Sequence, residues 1–152
     1  MTVGDRVYVA AQAWPAPFLF SQSEPMNRRW LFMIRPILAC IAPYKAAEEF
    51  AAAGWNIDFS QPLESGDPLV GVSLCGNSVL LGITDGYVSD EQIPHIGCGV
   101  EVYMTVPADE IRTIYDRHSF LHPTELVAQP WGDIAFEVKI GGYRFMIAAE
   151  EK

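Results

Sequence analysis

The sequence PILACIAPYKAAEEFAAAGW, residues 36–55, decides the fold because it joins a short apolar strand directly to a helix. Its first six residues are apolar and suit a buried strand. Pro43 suits the first turn of a helix, and Gly54 suits the position just after its last turn. The stretch therefore predicts a strand over 34–41 and a helix over 43–53.

A second stretch, VEVYMTVPADEIRTIY at residues 100–115, repeats this strand–helix order after about 65 residues. It predicts a strand over 99–106 and a helix over 108–118. Strand-like runs follow each helix, at 55–60, 68–75 and 78–84 and again at 124–129, 133–139 and 143–149. We therefore predict an α+β fold of two βαβββ modules, each forming a curved mixed sheet with a pocket inside the curve.

The repeat divides the chain into four predicted segments: an N-terminal extension or arm over 1–32, a first module over 33–84, an inter-module loop over 85–98, and a second module over 99–152. Two interpretations of the first segment stay open. It could be an arm whose aromatic side chains pack on a neighbouring subunit, or an extension upstream of a natural start at Met33. Within the modules, Gly76-Asn77 and Gly141-Gly142 are the predicted hairpin turns.

The charge of the chain restricts its partners. The 152 residues carry a formal net charge of −9, which makes nucleic acid or an anionic membrane surface an unfavourable partner. A cationic or neutral small molecule fits better. No stretch approaches the roughly 20 apolar residues of a membrane span.

The three cysteines, Cys40, Cys75 and Cys98, form no CxxC pair and no zinc pattern. We predict Cys40 and Cys75 to be small core residues, which suits a reducing, cytoplasmic location. His118 and His122 are four residues apart, a spacing that can bind a metal on a helix. Because Pro123 follows directly, we interpret the pair as a helix end.

Residues 36–55 resemble the first βα unit of bleomycin-resistance-like members of the vicinal oxygen chelate (glyoxalase) superfamily. The run QPWGDIAFEV, residues 129–138, resembles the segment before the last hairpin of that group. The resemblance covers about residues 33–149. In the last turn KIGGY, residues 139–143, replaces the usual sequence of the group. The resemblance implies a homodimer with pockets between subunits that hold a flat, often cationic molecule.

The superfamily includes metal-dependent enzymes and metal-free binding proteins. The resemblance places the two histidine ligand positions on Arg35 and Glu101, and the carboxylate or amide positions near Leu81 and Met146. A guanidinium cannot ligate a metal, and leucine has no lone pair. Because one possible ligand in four cannot hold an ion well, we predict no metal and no cofactor.

Strand alternation places Glu101 on the same face as Tyr103, toward the pocket, and opposite the apolar residues that face the helix. A carboxylate in an apolar pocket needs a partner. Arg35 could supply it in a vestigial metal site, or a cationic or hydroxyl-bearing ligand could do so. The full set of candidate ligand-binding residues is Arg35, Trp55, Phe59, Leu81, Glu101, Tyr103 and Met146.

The sequence thus predicts a metal-independent, drug-sequestering protein that binds a planar or cationic small organic molecule. Two alternatives stay open. The chain could be a metal-dependent glyoxalase, lyase or dioxygenase-type enzyme whose ligands lie one residue away, since a one-residue slip reverses the faces of a strand. It could also be a structural or regulatory domain whose pocket is filled by its own side chains.

Overall fold

The computed structural model of the chain describes residues 34–150. The predicted N-terminal arm over 1–32, with its aromatic residues, lies outside the described residues. The helices are α1 (Pro43–Ala52) and α2 (Ile111–Arg117). The strands are β1 (Ile37–Cys40), β2 (Asn56–Ser60), β3 (Leu69–Leu74), β4 (Asn77–Ile83), β5 (Glu101–Thr105), β6 (Val127–Ala128), β7 (Asp133–Ile140) and β8 (Tyr143–Glu150).

The strands form two four-stranded mixed sheets with the same order. The first sheet runs β1-β4-β3-β2 and the second β5-β8-β7-β6. In each sheet the strand before the helix pairs in parallel with the last strand, and the other pairs are antiparallel. This arrangement confirms the predicted α+β fold of two βαβββ modules.

A single hydrophobic core joins the two modules. One face of each sheet contributes alternate apolar residues to it, as period-two strand geometry requires. At its centre the ring of Phe145, from β8, lies between two rings of the first module. The ring centroids are 5.4 Å from Phe50 and 5.7 Å from Trp55, in edge-to-face geometry. We call the opposite face of each sheet, which points away from this core, its open face.

A buried histidine also links the modules. The indole N–H of Trp55 donates to Nε2 of His118 at 3.1 Å, and His118 Nδ1 lies 2.7 Å from the Ile114 carbonyl oxygen. The two contacts together require a neutral ring with its hydrogen on Nδ1. Burial lowers the pKa of His118 below its usual value. His118 is therefore a satisfied core residue, and His122 lies beyond the end of α2, as the sequence predicts.

Two hydrogen bonds between the modules repeat with the internal symmetry of the sequence. The Asn77 side chain donates to the Thr105 carbonyl at 2.8 Å, and the Tyr143 hydroxyl donates to the Ala39 carbonyl at 2.9 Å. Asn77 and Tyr143 both begin the last strand of their module, and Ala39 and Thr105 both lie near the end of its first strand. Each module therefore holds the other by an equivalent contact.

The first predicted turn is displaced by one residue. Cys75 and Gly76, with φ of 49° and 82°, form the turn between β3 and β4, whereas Gly76-Asn77 was expected. Two consecutive positive φ angles suit the right-handed twist of a tight hairpin. The turn exposes Cys75, so the prediction that it is a core residue is wrong. Cys40 is buried as predicted, and the last hairpin turns at Gly141-Gly142, also as predicted.

The buried, neutral His118 predicts acid sensitivity. Because its pKa is lowered by folding, its contribution to stability is present above the ordinary histidine pKa of about 6.5 and is lost as the pH falls through the lowered value. We expect the free energy of unfolding, measured by urea denaturation, to decrease between pH 8 and pH 5. His118→Leu should reduce this decrease, whereas the exposed control His122→Gln should retain it. An identical pH dependence in all three proteins would contradict the assignment.

Neither helix within residues 34–150 is long and apolar enough to span a membrane.

Candidate functional site

The open face of the second sheet carries three rows of side chains, set by the register of β5, β8 and β7. The charged row consists of Glu101, Arg144 and Lys139. The middle row consists of Tyr103, Met146 and Glu137. The third row consists of the small side chains of Thr105, Ala148 and Ala135. Alternation along each strand thus brings polar, aromatic and charged groups together on one surface.

One carboxylate holds two exposed aromatic rings on this surface. The Tyr103 hydroxyl donates a hydrogen bond to Asp133, and the Trp131 indole N–H donates to the same carboxylate oxygen at 3.0 Å. The hydrogen bond to Asp133 raises the pKa of Tyr103. Tyr103 remains 49% exposed and Trp131 59% exposed. We call Tyr103, Trp131 and Asp133 the aromatic site.

The chemistry of the aromatic site suits a flat, positively charged group. Aromatic faces stack on planar ligands and attract cations, and the adjacent carboxylate adds negative charge. Tyr103 is among the residues predicted from the sequence, whereas Trp131 and Asp133 are not. Alternation along β7 carries the missing signal, because Asp133 shares the open face with Ala135 and Glu137.

A cavity of about 770 Å³ adjoins the charged row. Glu101, Lys139 and Arg144 line it together with Glu137 and the loop 96–100. Arg144 Nη1 lies 3.8 Å from Glu137 Oε2, and this is the one ion pair within residues 34–150. The cavity therefore presents two carboxylates, the cations of Lys139 and Arg144, and the imidazole of His122 to a ligand.

The open face of the first sheet is mainly apolar. Ile37, Leu80, Gly71 and Phe59 lie in one row across β1, β4, β3 and β2. A Cβ on Gly71 would lie 2.4 Å from the Phe59 ring, so a larger residue at position 71 would displace this ring. At a bulge in β2, the Asp58 carboxylate accepts hydrogen bonds from the hydroxyls of Ser73 at 2.7 Å and Ser78 at 3.4 Å.

The structure places four of the seven candidate residues on the open faces. Phe59 lies on the first sheet, and Glu101, Tyr103 and Met146 lie on the second. Arg35 is exposed just before β1. The structure brings Glu101, Tyr103 and Met146 together, because they occupy β5 and β8 of one sheet.

Two candidates lie in the core, so their predicted place on the pocket wall needs correction. Leu81 is fully buried and Trp55 is 4% exposed. The predicted position on β4 is displaced by one residue, which reverses the face, and Leu80 occupies the open side. Trp55 packs against Phe50 and Phe145.

The predicted pair of Arg35 with Glu101 is also corrected. The register places Arg144 opposite Glu101 on the neighbouring strand of the same sheet. Within residues 34–150, no ion pair joins Arg35 to Glu101. The basic neighbour of Glu101 is therefore Arg144 of the second sheet rather than Arg35 of the first module, and within residues 34–150 Glu101 forms no ion pair.

The positions that the resemblance assigns to metal ligands do not hold a matching set of donors. On the first sheet, the open face of β1 and β4 presents Ile37, Leu80 and Gly82, which offer no metal donor, and the Ser78 hydroxyl, which donates to Asp58. In the described part of the chain, no group of three or more His, Cys, Asp or Glu side chains could hold a metal ion. These residues do not fit the metal centre of the superfamily's enzymes.

No protein-family model and no curated protein match the sequence. Solved structures do match the fold. TioX from Micromonospora sp. ML1 superposes with a TM-score of 0.58 at 17% identity, over 80% of this chain and 98% of that chain. The bleomycin resistance determinant encoded on transposon Tn5 gives 0.54 at 12% identity, over 80% and 99%.

The fosfomycin resistance protein FosX from Listeria monocytogenes, in complex with Mn(II) and 1S,2S-dihydroxypropylphosphonic acid, also matches. Its TM-score is 0.58 at 9% identity, over 79% of this chain and 92% of that chain. These likenesses show that the chain has the vicinal oxygen chelate fold that its sequence resembles. The structures with this fold include both a bleomycin resistance protein and a manganese-bound protein.

Proposed function

We propose that this protein is a metal-independent, drug-sequestering protein that binds a planar, cationic small organic molecule at its aromatic site. The observation that carries the proposal is the pair of exposed rings, Tyr103 and Trp131, held by the single carboxylate of Asp133. Stacking on the rings and attraction to the carboxylate would act on the same ligand. The net charge of −9 favours the approach of a cation over long range.

The resemblance of the sequence to the bleomycin-resistance-like group implies binding without chemical conversion of the ligand, and the bleomycin resistance determinant has the same fold. The side chains agree with this choice, because Ile37, Leu80 and Gly82 on the open face of β1 and β4 supply no metal donor. The test is isothermal titration calorimetry with proflavine, a planar cation, and with bleomycin. We expect saturable binding of at least one of them, and saturation by neither would contradict the proposal.

The alternative function is a metal-dependent enzyme, which the fold of the manganese-bound FosX structure keeps under consideration. We expect elemental analysis of the purified protein to find much less than one Zn, Ni, Fe or Mn per chain. Addition of each metal should leave the melting temperature unchanged, because the donor set is missing. A stoichiometric metal that chelators remove with loss of stability would favour the enzyme.

We also propose that the protein is a homodimer in the cytoplasm. The open faces expose large apolar side chains, including Ile37 at 60% and Val127 at 45%. Burying such surface against a second copy is favourable by about 25 cal/mol per Å². We expect light scattering at micromolar concentration to give twice the chain mass of 16.9 kDa.

The Ile37→Lys variant places a charge on this apolar surface and should shift the protein toward monomers. Thr113→Lys, on the exposed side of α2, serves as its matched control and should remain dimeric. A wild-type mass near that of one chain would contradict the dimer.

A further inference from the structure

The charged row places one acidic and two basic side chains on adjacent strands. Glu101 on β5, Arg144 on β8 and Lys139 on β7 follow one another in register. Adjacent strands are about 4.8 Å apart, so Arg144 has the opposite charge of Glu101 on one side and the like charge of Lys139 on the other, each at about this spacing. Glu137 adds a second carboxylate in the next row, beside Arg144.

The charged side chains that line the cavity only partly neutralise one another. Arg144 and Glu137 are 3.8 Å apart with side chains 59% and 36% exposed, which makes a weak, solvent-screened pair. Glu101 and Lys139 form no ion pair with any residue in the range 34–150. All four side chains line the same cavity of about 770 Å³. The cavity thus offers carboxylates that can bind a cation and basic side chains that can donate hydrogen bonds to an anion.

The aromatic site and the cavity share the open face of the second sheet, where Tyr103 lies two residues from the cavity residue Glu101. Tyr103 follows Glu101 by two residues on β5, a separation of about 6.7 Å along the strand. Both side chains point to the same open face, because successive side chains alternate. A planar ligand stacked on Tyr103 therefore reaches the charged row with a substituent a few bonds long.

We propose that the ligand is zwitterionic, with an anionic group, such as a carboxylate, that binds Arg144 and Lys139 while its planar cation lies on the aromatic site. This inference rests on the proposed function, and it adds a negatively charged group to the planar cation proposed there. Glu101 and Glu137 then face the cationic part. Guanidinium donors match the two oxygens of a carboxylate, and Lys139 adds a second cation one strand away.

Rhodamine B and its ethyl ester provide a matched test. Both contain the same planar cation, but only rhodamine B carries a free carboxylate. The net charge of −9 repels the carboxylate of rhodamine B except where basic side chains lie close to it. We therefore expect calorimetric titration to show that rhodamine B binds about 10-fold more tightly than the ester.

Two variants locate this preference. Arg144→Gln should lower the affinity for rhodamine B about 10-fold and that for the ester less than about 3-fold. Lys139→Gln should act in the same direction, and is a second variant if the first fails to fold. Arg112→Gln, on the exposed side of α2, is the matched control and should leave both affinities as in the wild type.

The inference is overturned if the two dyes bind equally or if the ester binds more tightly. It is also overturned if the preference persists in both Arg144→Gln and Lys139→Gln. Saturation with proflavine in those cases would leave the proposed function intact. If neither dye binds, the inference fails, and the proflavine and bleomycin titrations decide whether the proposed function fails with it.

Discussion

Asp133→Asn is expected to weaken the binding of proflavine by about 10- to 150-fold, the range for one hydrogen bond or ion pair to a charged group. The substitution keeps the shape of the side chain, and the amide oxygen can still accept hydrogen bonds from Tyr103 and Trp131. It removes the negative charge beside the two rings. The loss of affinity should therefore be confined to cationic ligands.

Acridone, a neutral planar analogue, separates charge from stacking. Asp133→Asn should change its affinity by less than about 3-fold, since stacking does not need the carboxylate. Asp116→Asn, on the exposed side of α2, is the charge-matched control and should bind proflavine as the wild type does. Equal losses for proflavine and acridone would mean that Asp133 only positions the rings. Unchanged proflavine binding would place the ligand elsewhere.

The sequence was most informative where local rules act alone. Pro43 and Gly54 predict the two ends of α1 to within a residue or two of where they are observed. The paired glycines predict the last hairpin turn. The repeat then supplied the topology, because each strand–helix unit must return to its own sheet. Fold class therefore followed from spacing and turn chemistry.

The faces of the strands could be predicted only where polar and apolar residues alternate. On β5, Glu101 and Tyr103 alternate with apolar residues, and the predicted open face is correct. On β4, Val79, Leu80 and Leu81 are all apolar, so the pattern does not say which of them points to the core. The misplacement of Leu81 follows from that uniform run.

Contacts between distant segments could not be predicted from the sequence. Trp55 and His118 are 63 positions apart, and no local pattern shows that the indole N–H of one finds the ring nitrogen of the other. Similarly, Arg35 and Glu101 occupy equivalent strands of the two modules, yet the neighbour of Glu101 is Arg144, on the strand that ends its own sheet. Long-range partners depend on how the two sheets pack, which propensity and alternation do not determine.

Phe145→Ala should lower the free energy of unfolding by about 3–5 kcal/mol, the usual cost of removing a buried phenylalanine ring. Phe145 is completely buried and its ring contacts both Phe50 and Trp55 of the other module. The resulting cavity cannot close easily, since two sheets and a helix surround it. Such a loss is a large part of the 5–15 kcal/mol typical of a small domain.

Urea denaturation followed by tryptophan fluorescence and by far-ultraviolet circular dichroism would measure this loss. Because Phe145 belongs to a core shared by both modules, the two signals should shift together and remain coincident. Phe120→Ala is the control, since Phe120 is 49% exposed and should change stability by less than about 1 kcal/mol. A small effect of Phe145→Ala, or separate transitions for the two signals in the wild type, would mean that each module is stabilised by its own core. The aromatic site would then depend on the second module alone, whereas a shared core makes its geometry depend on the first module as well.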